Sequence, residues 1–319
     1  MTEVACLEIC AGAGGQALGL ELAGFHPEAL VEIDKACCAT LRFNRPEWTV
    51  IENDLRQFQG TSLKGIDLLA GGVPCPPFSK AGKQLGDDDE RDLFPEALRL
   101  IETCRPRTVM LENVRGFLEP RFESYRLKFK SQLEKMDYEV DWKVLNASDF
   151  GVSQLRPRVV IVAIQRALSD SFVWPCPHRC SPPTVGELLY DQMATNGWKG
   201  VDSWKQQANA IAPTLVGGSK KHGGPDLGPT RAKRAWAKLG VDGMGIANEP
   251  PARDFIGMPR LTVPMAARLQ GFPDTWHFVG KKTPAYRQVG NAFPPPVAYA
   301  VASAIRECLS RQTVFAITG

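Results

Sequence analysis

Five short apolar runs, each ending on a glycine turn, an acid or a cysteine, constrain this 319-residue chain more than any other feature. Val4 to Ile9 runs into Ala11-Gly12-Ala13-Gly14-Gly15, and Ala29 to Ile33 ends at Glu32 and Asp34. Thr49 to Ile51 leads to Asp54, Ile66 to Ala70 to Pro74-Cys75, and Thr108 to Leu111 to Glu112-Asn113-Val114. Helical stretches lie between some of these strands, at Gln16 to Ala23 and Leu93 to Thr103, and strands alternating with helices build a parallel sheet. A helix from Tyr125 to Met136 and strands at Glu139 to Leu145 and Val159 to Ile164 complete it. An apolar helix from Val297 to Leu309 follows near the end. The expected fold class is α/β, a doubly wound, mostly parallel sheet, with its functional groups at the carboxyl ends of the strands, where such sheets bind ligands.

Each strand end supports a chemical reading. The glycine turn before a helix allows close approach of backbone N–H groups to an anionic or carboxylate-bearing nucleotide, although such turns also serve plain strand–helix packing. Glu32 lies about twenty residues after the glycines, where an acid in this kind of sheet binds a ribose diol. Cys75 sits between Pro74 and Pro76, a setting for an exposed reactive thiolate or for a small buried side chain. The polar loop Lys80 to Arg91, with Gly82 and Gly86, reads as a solvated surface loop or as a lid over that thiol.

Composition bounds the rest. The chain is 44% hydrophobic and 23% charged, and no apolar run approaches the length of a membrane helix, roughly 18 residues. The expectation is a soluble cytosolic protein without a signal peptide, its nine cysteines reduced. Cys176-Pro177-His178-Arg179-Cys180 resembles half a metal site, but no second pair stands at ligand spacing, so no zinc is expected. The net charge is +3, while residues 173–262 carry 11 Lys+Arg against 7 Asp+Glu. From Val173 glycines and prolines cluster and periodicity fades. Trp174, Trp198, Trp204 and Trp236 stand there beside Lys220-Lys221, Arg231 and Lys233-Arg234. That mix suits phosphate contact and insertion into a duplex, or else a core with a solvated basic surface. The expected organisation is a catalytic and cofactor-binding domain at 1–172, a smaller loop-rich domain at 173–282, and a segment at 283–319 that returns to the first.

Taken in order, these segments resemble the cytosine-C5 DNA methyltransferase family of bacterial restriction-modification type, over most of the chain outside about 175–250. Ala11-Gly12-Ala13-Gly14-Gly15 is similar to the cofactor glycine motif, Pro74-Cys75 to the catalytic motif and Glu112-Asn113-Val114 to the motif after it. Gln154, Arg156 and Arg158 match a Gln-x-Arg-x-Arg element. Arg260-Leu261-Thr262 with Ala267 to Pro273 resembles the segment that braces the recognition domain, and Gln288-Val289-Gly290-Asn291 the closing motif. The chain departs from the family at Glu8-Ile9-Cys10, where Asp-Leu-Phe is usual, and at Ile33, where a Trp often covers the adenine.

The resemblance implies a class I, Rossmann-like methyltransferase that moves a methyl group from S-adenosylmethionine to C5 of a flipped-out cytosine in double-stranded DNA, leaving S-adenosylhomocysteine. It implies Cys75 as the covalent nucleophile on C6, Glu112 as proton donor at N3, and Arg156 and Arg158 as cations that position the base. For the cofactor it implies Glu32 on the ribose, Asp54 on the adenine amine, and contacts from Ala11, Gly12, Gly14, Gly15, Ile33, Leu55, Pro74, Leu93, Asn291 and Ala292. Ser79, Lys80, Gln154, Thr214, Leu215, Lys220, Lys221 and Arg231 are implied on the DNA. A monomer working at the bacterial nucleoid completes the expectation; a cognate restriction endonuclease for the same sequence is left open. A tRNA methyltransferase with a similar catalytic domain, a nicotinamide-dependent dehydrogenase and a silent DNA-binding module are the competing readings. The first carries a Cys-Phe-Thr segment that this chain lacks between 173 and 260.

Overall fold

A computed structural model describes residues 4–74, 92–217 and 225–315. The first part alternates as the sequence implies: β1 (Val4–Ile9), α1 (Gly15–Leu22), β2 (Phe25–Glu32), α2 (Lys35–Asn44), β3 (Val50–Glu52), β4 (Leu68–Gly71), α3 (Phe94–Cys104), β5 (Thr108–Val114) and α4 (Glu123–Lys135). Then come β6 (Tyr138–Asn146), β7 (Gln154–Leu155), β8 (Pro157–Gln165) and the single turn α5 (Arg166–Ser169). The rest is mainly helical: α6 (Val185–Ala194), α7 (Val201–Gln207), the short β9 (Ala212–Pro213), α8 (Thr230–Lys238), α9 (Val263–Leu269), α10 (Lys282–Asn291) and α11 (Pro295–Phe315).

Seven strands form one sheet in the order β3-β2-β1-β4-β5-β8-β6. All run parallel except β8, which is inserted antiparallel between β5 and β6. The carboxyl ends of β1, β2, β4 and β5 therefore open on one edge, and β8 enters the sheet there at its amino end. One face of the sheet packs Leu7, Ile9, Leu69, Val109 and Leu111 against Phe94, Ile101 and Phe129 of α3 and α4. The other packs Cys6, Leu68, Ala70, Met110 and Val162 against Leu20 of α1 and the apolar stripe of α11, Val297 to Leu309. This alternation along each strand is the period-2 consequence of a strand buried on both sides.

Two helices that the sequence reading left out have local causes. The Asp34 carboxylate accepts from Ala36 N at 2.9 Å and Cys37 N at 3.3 Å, an N-cap that starts α2 at once after β2. At α6 the Thr184 hydroxyl and the Glu187 carboxylate satisfy each other's backbone N–H in a capping box. Periodicity fades after Val173 because α8 buries one large side chain, Trp236, and leaves Arg231, Arg234 and Lys238 in solvent.

Among the described residues, the core of the region after 173 is continuous with that of the first part. One apolar cluster joins Ala11, Leu18, Leu41 and Trp48 to Leu189, Trp204, Trp236, Leu261, Phe272, Trp276 and Val289. The three tryptophans Trp198, Trp204 and Trp236 are buried, which corrects the reading of duplex insertion: they fill the interior. Trp174 is half-buried, edge-on to Phe172, and donates to Asp141 Oδ2 at 2.7 Å.

Candidate active site

The glycine turn after β1 is the first element of the site. Gly14 takes a φ of 88° as the N-cap of α1, a left-handed conformation that costs glycine little. A side chain there would strike Trp276 and Leu41, and a Cβ on Gly15 would overlap the carbonyl oxygen of Phe293. The C-terminal segment thus returns directly onto the turn. No described residue lies within 4 Å of a Cβ added to Gly12, so among the described residues this side of the turn is open.

Glu32 closes the turn from β2. Its Oε2 accepts from Gly12 N at 2.7 Å, and its Oε1 from Ile33 N at 2.9 Å and Asp34 N at 2.7 Å. Burial pushes its carboxyl above the usual range while the three N–H groups pull the other way. A carboxylate offers about four acceptor positions, so one remains for a ligand hydroxyl. Ile33, next in sequence, is 64% exposed, an apolar surface at the strand edge. Asp54 pairs with Arg56 at 3.1 Å. Leu55, expected at the cofactor, is buried in the sheet core. Leu93 and Ala292 are half-buried, while Pro74 and Asn291 are exposed.

The second element joins β5 and β8. Antiparallel register sets Val114 opposite Arg158 and Glu112 opposite Val160, so Glu112 and Arg158 are diagonal neighbours on one face. Arg158 Nε donates to Glu112 Oε1 at 2.7 Å, with both side chains 13% exposed. Glu112 Oε2 faces Gly72, whose added Cβ would lie 3.5 Å from it. Burial pushes the Glu112 carboxyl up against the pull of Arg158 and Arg156. Burial also lowers Arg158 against the pull of Glu112. One oxygen is thereby fixed by a cation, while the other, on the strand-end side, can hold a proton. Pro74 is the last described residue before Cys75, and Cys75, Ser79, Lys80, Lys220, Lys221 and the loop to Arg91 lie outside the described residues.

Three of the expected site residues, Gln154, Arg156 and Leu215, lie in the interior. Gln154, expected on the DNA, is fully buried. Its Nε2 donates to Leu269 O at 3.1 Å and Gln270 Oε1 at 2.7 Å, and its Oε1 accepts from Leu215 N at 2.9 Å. Arg156 is likewise fully buried. Its Nη1 donates to Leu215 O at 2.8 Å, and its Nη2 to Gly290 O at 2.8 Å and Ala292 O at 3.0 Å, so the guanidinium is committed to main-chain carbonyls rather than to a base. Leu215 is itself buried, and the Thr214 hydroxyl donates to Leu155 O at 2.5 Å, beside the β7–β9 pair. Gln270, to which the sequence reading gave no role, ties the same knot by donating to Ala292 O at 2.6 Å. Its only sequence signal was its place in Ala267 to Pro273. Arg231 is exposed on α8, as a phosphate contact requires. Cys176 and Cys180 are exposed free thiols, and no cluster of metal-ligating side chains occurs among the described residues.

A doubly wound sheet with one antiparallel strand inserted beside β5, and a nucleoside-type acid at the end of β2, defines the class I, Rossmann-like methyltransferase fold. Solved structures agree on that fold. A DNA modification methyltransferase encoded in a prophage (E. coli) superposes with a TM-score of 0.69 at 22% identity, over 97% of this chain and 100% of that one. DNMT2 of Spodoptera frugiperda gives 0.65 at 18% identity, over 95% and 100%. Within the class, the chain belongs to the C-5 cytosine-specific DNA methylases, whose family model matches residues 4–307. It is 57% identical over 309 residues to the Type II methyltransferase M.NgoMIV of Neisseria gonorrhoeae, covering 96% of this chain and 98% of that protein. It is 55% identical over 318 residues to M.NaeI of Lentzea aerocolonigenes, covering 98% and 77%.

Proposed function

We propose that this DNA cytosine methyltransferase takes its methyl group from S-adenosylmethionine, attacks C6 of a flipped-out cytosine with Cys75, and modifies one specific duplex sequence. The observation that carries the reading is the buried Glu112–Arg158 pair, its free oxygen turned toward the strand end that leads to Cys75. Cytosine C5 is too weak a nucleophile to take a methyl group unaided. A thiolate adding to C6 forms a C–S bond and loads charge onto N3 and O2. Glu112, its carboxyl pushed upward by burial, gives a proton from Oε2 to N3, and Arg158 holds the carboxyl in place and balances the charge at O2. C5 then takes the methyl group from the sulfonium, leaving S-adenosylhomocysteine; a base removes the C5 proton, and the C–S bond breaks to return the thiolate while N3 gives its proton back to Glu112.

The methyl donor would rest at the β1 and β2 ends. Glu32 has one acceptor position left for a ribose hydroxyl, exposed Ile33 offers a face to a purine ring, and the open side of Gly12 leaves room for the amino-acid end. Flipping the base costs roughly a few kcal/mol, which contacts from the basic region must offset. The names of the Type II relatives support a cytoplasmic bacterial enzyme whose target sequence is shared with a restriction endonuclease.

A duplex bearing 5-fluorocytosine at the target position should trap a covalent adduct that peptide mass spectrometry maps to Cys75. An adduct on another cysteine, or methylation by Cys75→Ala, overturns the mechanism. Bisulfite sequencing of plasmid from an expressing host identifies the target sequence.

A further inference from the structure

We propose that Arg156 is a positioning residue that couples DNA recognition to cofactor binding, by holding the recognition segment and the cofactor-side segment with one buried guanidinium. The inference rests on the reading of the glycine turn and Asn291 as the cofactor pocket. Three chain segments far apart in sequence meet on this side chain. Leu215 belongs to the stretch between β9 and the glycine- and lysine-rich residues 218–224, while Gly290 and Ala292 end α10. Arg156 itself stands two residues before Arg158, the partner of Glu112.

The contact is direct as well as bridged. Gly217 packs on the end of α10 so closely that a Cβ there would overlap Asn291 Oδ1 and stand 2.7 Å from Arg287 O. A Cβ on Gly290 would in turn overlap the backbone of Gly217. Two glycines, one from each side, let main chain touch main chain. Ala292 and Phe293 carry the contact onward, since an added Cβ on Gly15 would lie 3.2 Å from Ala292 Cβ and overlap Phe293 O. The path from the recognition segment to the glycine turn thus runs through Leu215, Arg156, Ala292 and Gly15.

A guanidinium is a rigid plane whose donors point in fixed directions. In a dry interior each of its carbonyl bonds is charge-assisted, and a partner taken away is not replaced by water. Displacing Leu215 O therefore either leaves Nη1 with only its long 3.4 Å bond to Gln154 Oε1 or turns the plane, which shifts Nη2 against Gly290 and Ala292. Gln154 and Gln270 brace the same segments and restrict other adjustments. A two-ended contact of this kind gives the two binding events a shared free energy, and that coupling is reciprocal.

The test is equilibrium binding of S-adenosylhomocysteine, a dead-end ligand, with and without a duplex carrying the target sequence found by bisulfite sequencing. For the native protein the duplex should tighten binding about tenfold, within the usual range of such couplings. Arg156→Lys keeps the charge but cannot span three carbonyls, and should bring that ratio close to one, whatever it does to binding without DNA. Gly217→Ala forces the same contact apart from the recognition side with Arg156 intact, and should also abolish the ratio. It carries the test if the Lys variant does not fold. A native protein that binds the ligand equally with and without DNA, or variants that weaken binding yet keep the native ratio, would overturn the coupling alone. A native protein that binds no S-adenosylhomocysteine would instead sink the reading of the cofactor pocket beneath it.

Discussion

The strand-end half of this protein and the half after 173, proposed to recognise DNA, use the same residue types in opposite ways. At the sheet edge, Glu32, Asp54 and Glu112 lie where parallel topology delivers strand ends, next to open space or partly exposed groups. After 173 Trp198, Trp204 and Trp236 are interior, and Arg156 and Gln154, which hold that region to the sheet, are interior too. A strand end fixes where a side chain emerges before any partner is known. A basic or aromatic residue in a loop-rich region takes its place from contacts made far along the chain.

The largest effect expected is at Glu112, in the strand-end half. Glu112→Gln keeps shape and one acceptor but removes the acidic group whose proton affinity burial raises. We expect the methyl-transfer rate at saturating substrates to fall about 10²- to 10⁴-fold, the usual contribution of a positioned acid, with DNA affinity retained. Because the carboxyl is shifted upward, the native rate should decline as pH rises through its shifted value, and the Gln variant should lack that limb. Single-turnover rates across pH decide the matter; an unchanged profile would remove Glu112 from the proton step.

In the recognition half the sharpest break is Trp236→Ala. A tryptophan that inserted into DNA would cost affinity when removed, whereas a buried one costs stability, about 3–5 kcal/mol. Denaturant unfolding should therefore shift strongly, and DNA affinity of the still-folded fraction should change little. The reverse pattern would restore the insertion reading.

These outcomes track what was legible beforehand. β1 has the boundaries its apolar run implies, Val4–Ile9. β5 reaches three residues past Leu111 because pairing with antiparallel β8 carries it to Val114, and a run of apolar residues gives no hint of that partner. The start of α6 was readable from Thr184-Val185-Gly186-Glu187, a capping box before an apolar stretch. The burial of Arg156 was not, because its acceptors lie 59 to 136 residues away. Gln-x-Arg-x-Arg puts three polar side chains on one side of an extended segment, and only the tertiary structure divides them between a knot and an active site.

Glu8 gives a quieter contrast within the strand-end half. It is buried on the α1 face of β1, and its Oε2 has no hydrogen-bond partner among the described residues. Burial, with Glu32 nearby, raises its carboxyl well above the ordinary 4.5. A folded-state value above the unfolded one means that the stability Glu8 contributes is complete below about pH 4.5 and is lost as pH rises toward the folded value. Glu8→Gln should match the native protein near pH 4.5 and gain on it by up to about tenfold in the folding constant per pH unit above that. Unfolding curves at three pH values check this, and a constant difference would mean that Glu8 is ionised in the folded protein.

The smallest effect expected comes from the cations that the recognition half leaves outside. Arg231 and Arg234 are exposed on α8, while Lys233 between them is held by Asp226 at 2.7 Å. A cation on a phosphate acts by releasing counterions, so removing it weakens binding to all sequences alike and flattens the salt dependence, by about 0.9 in log–log slope for each phosphate no longer neutralised. The double variant Arg231→Ala, Arg234→Ala should bind several-fold more weakly at low salt, lose up to about 1.8 in slope and methylate the same sequence as before. An unchanged slope would put α8 away from the DNA, and a changed target sequence would make these arginines readers of bases. The expected outcome would leave the two buried residues, Gln154 and Arg156, and the two exposed arginines doing separable work: the first pair setting how the halves are joined, the second how strongly the joined molecule holds a polyanion.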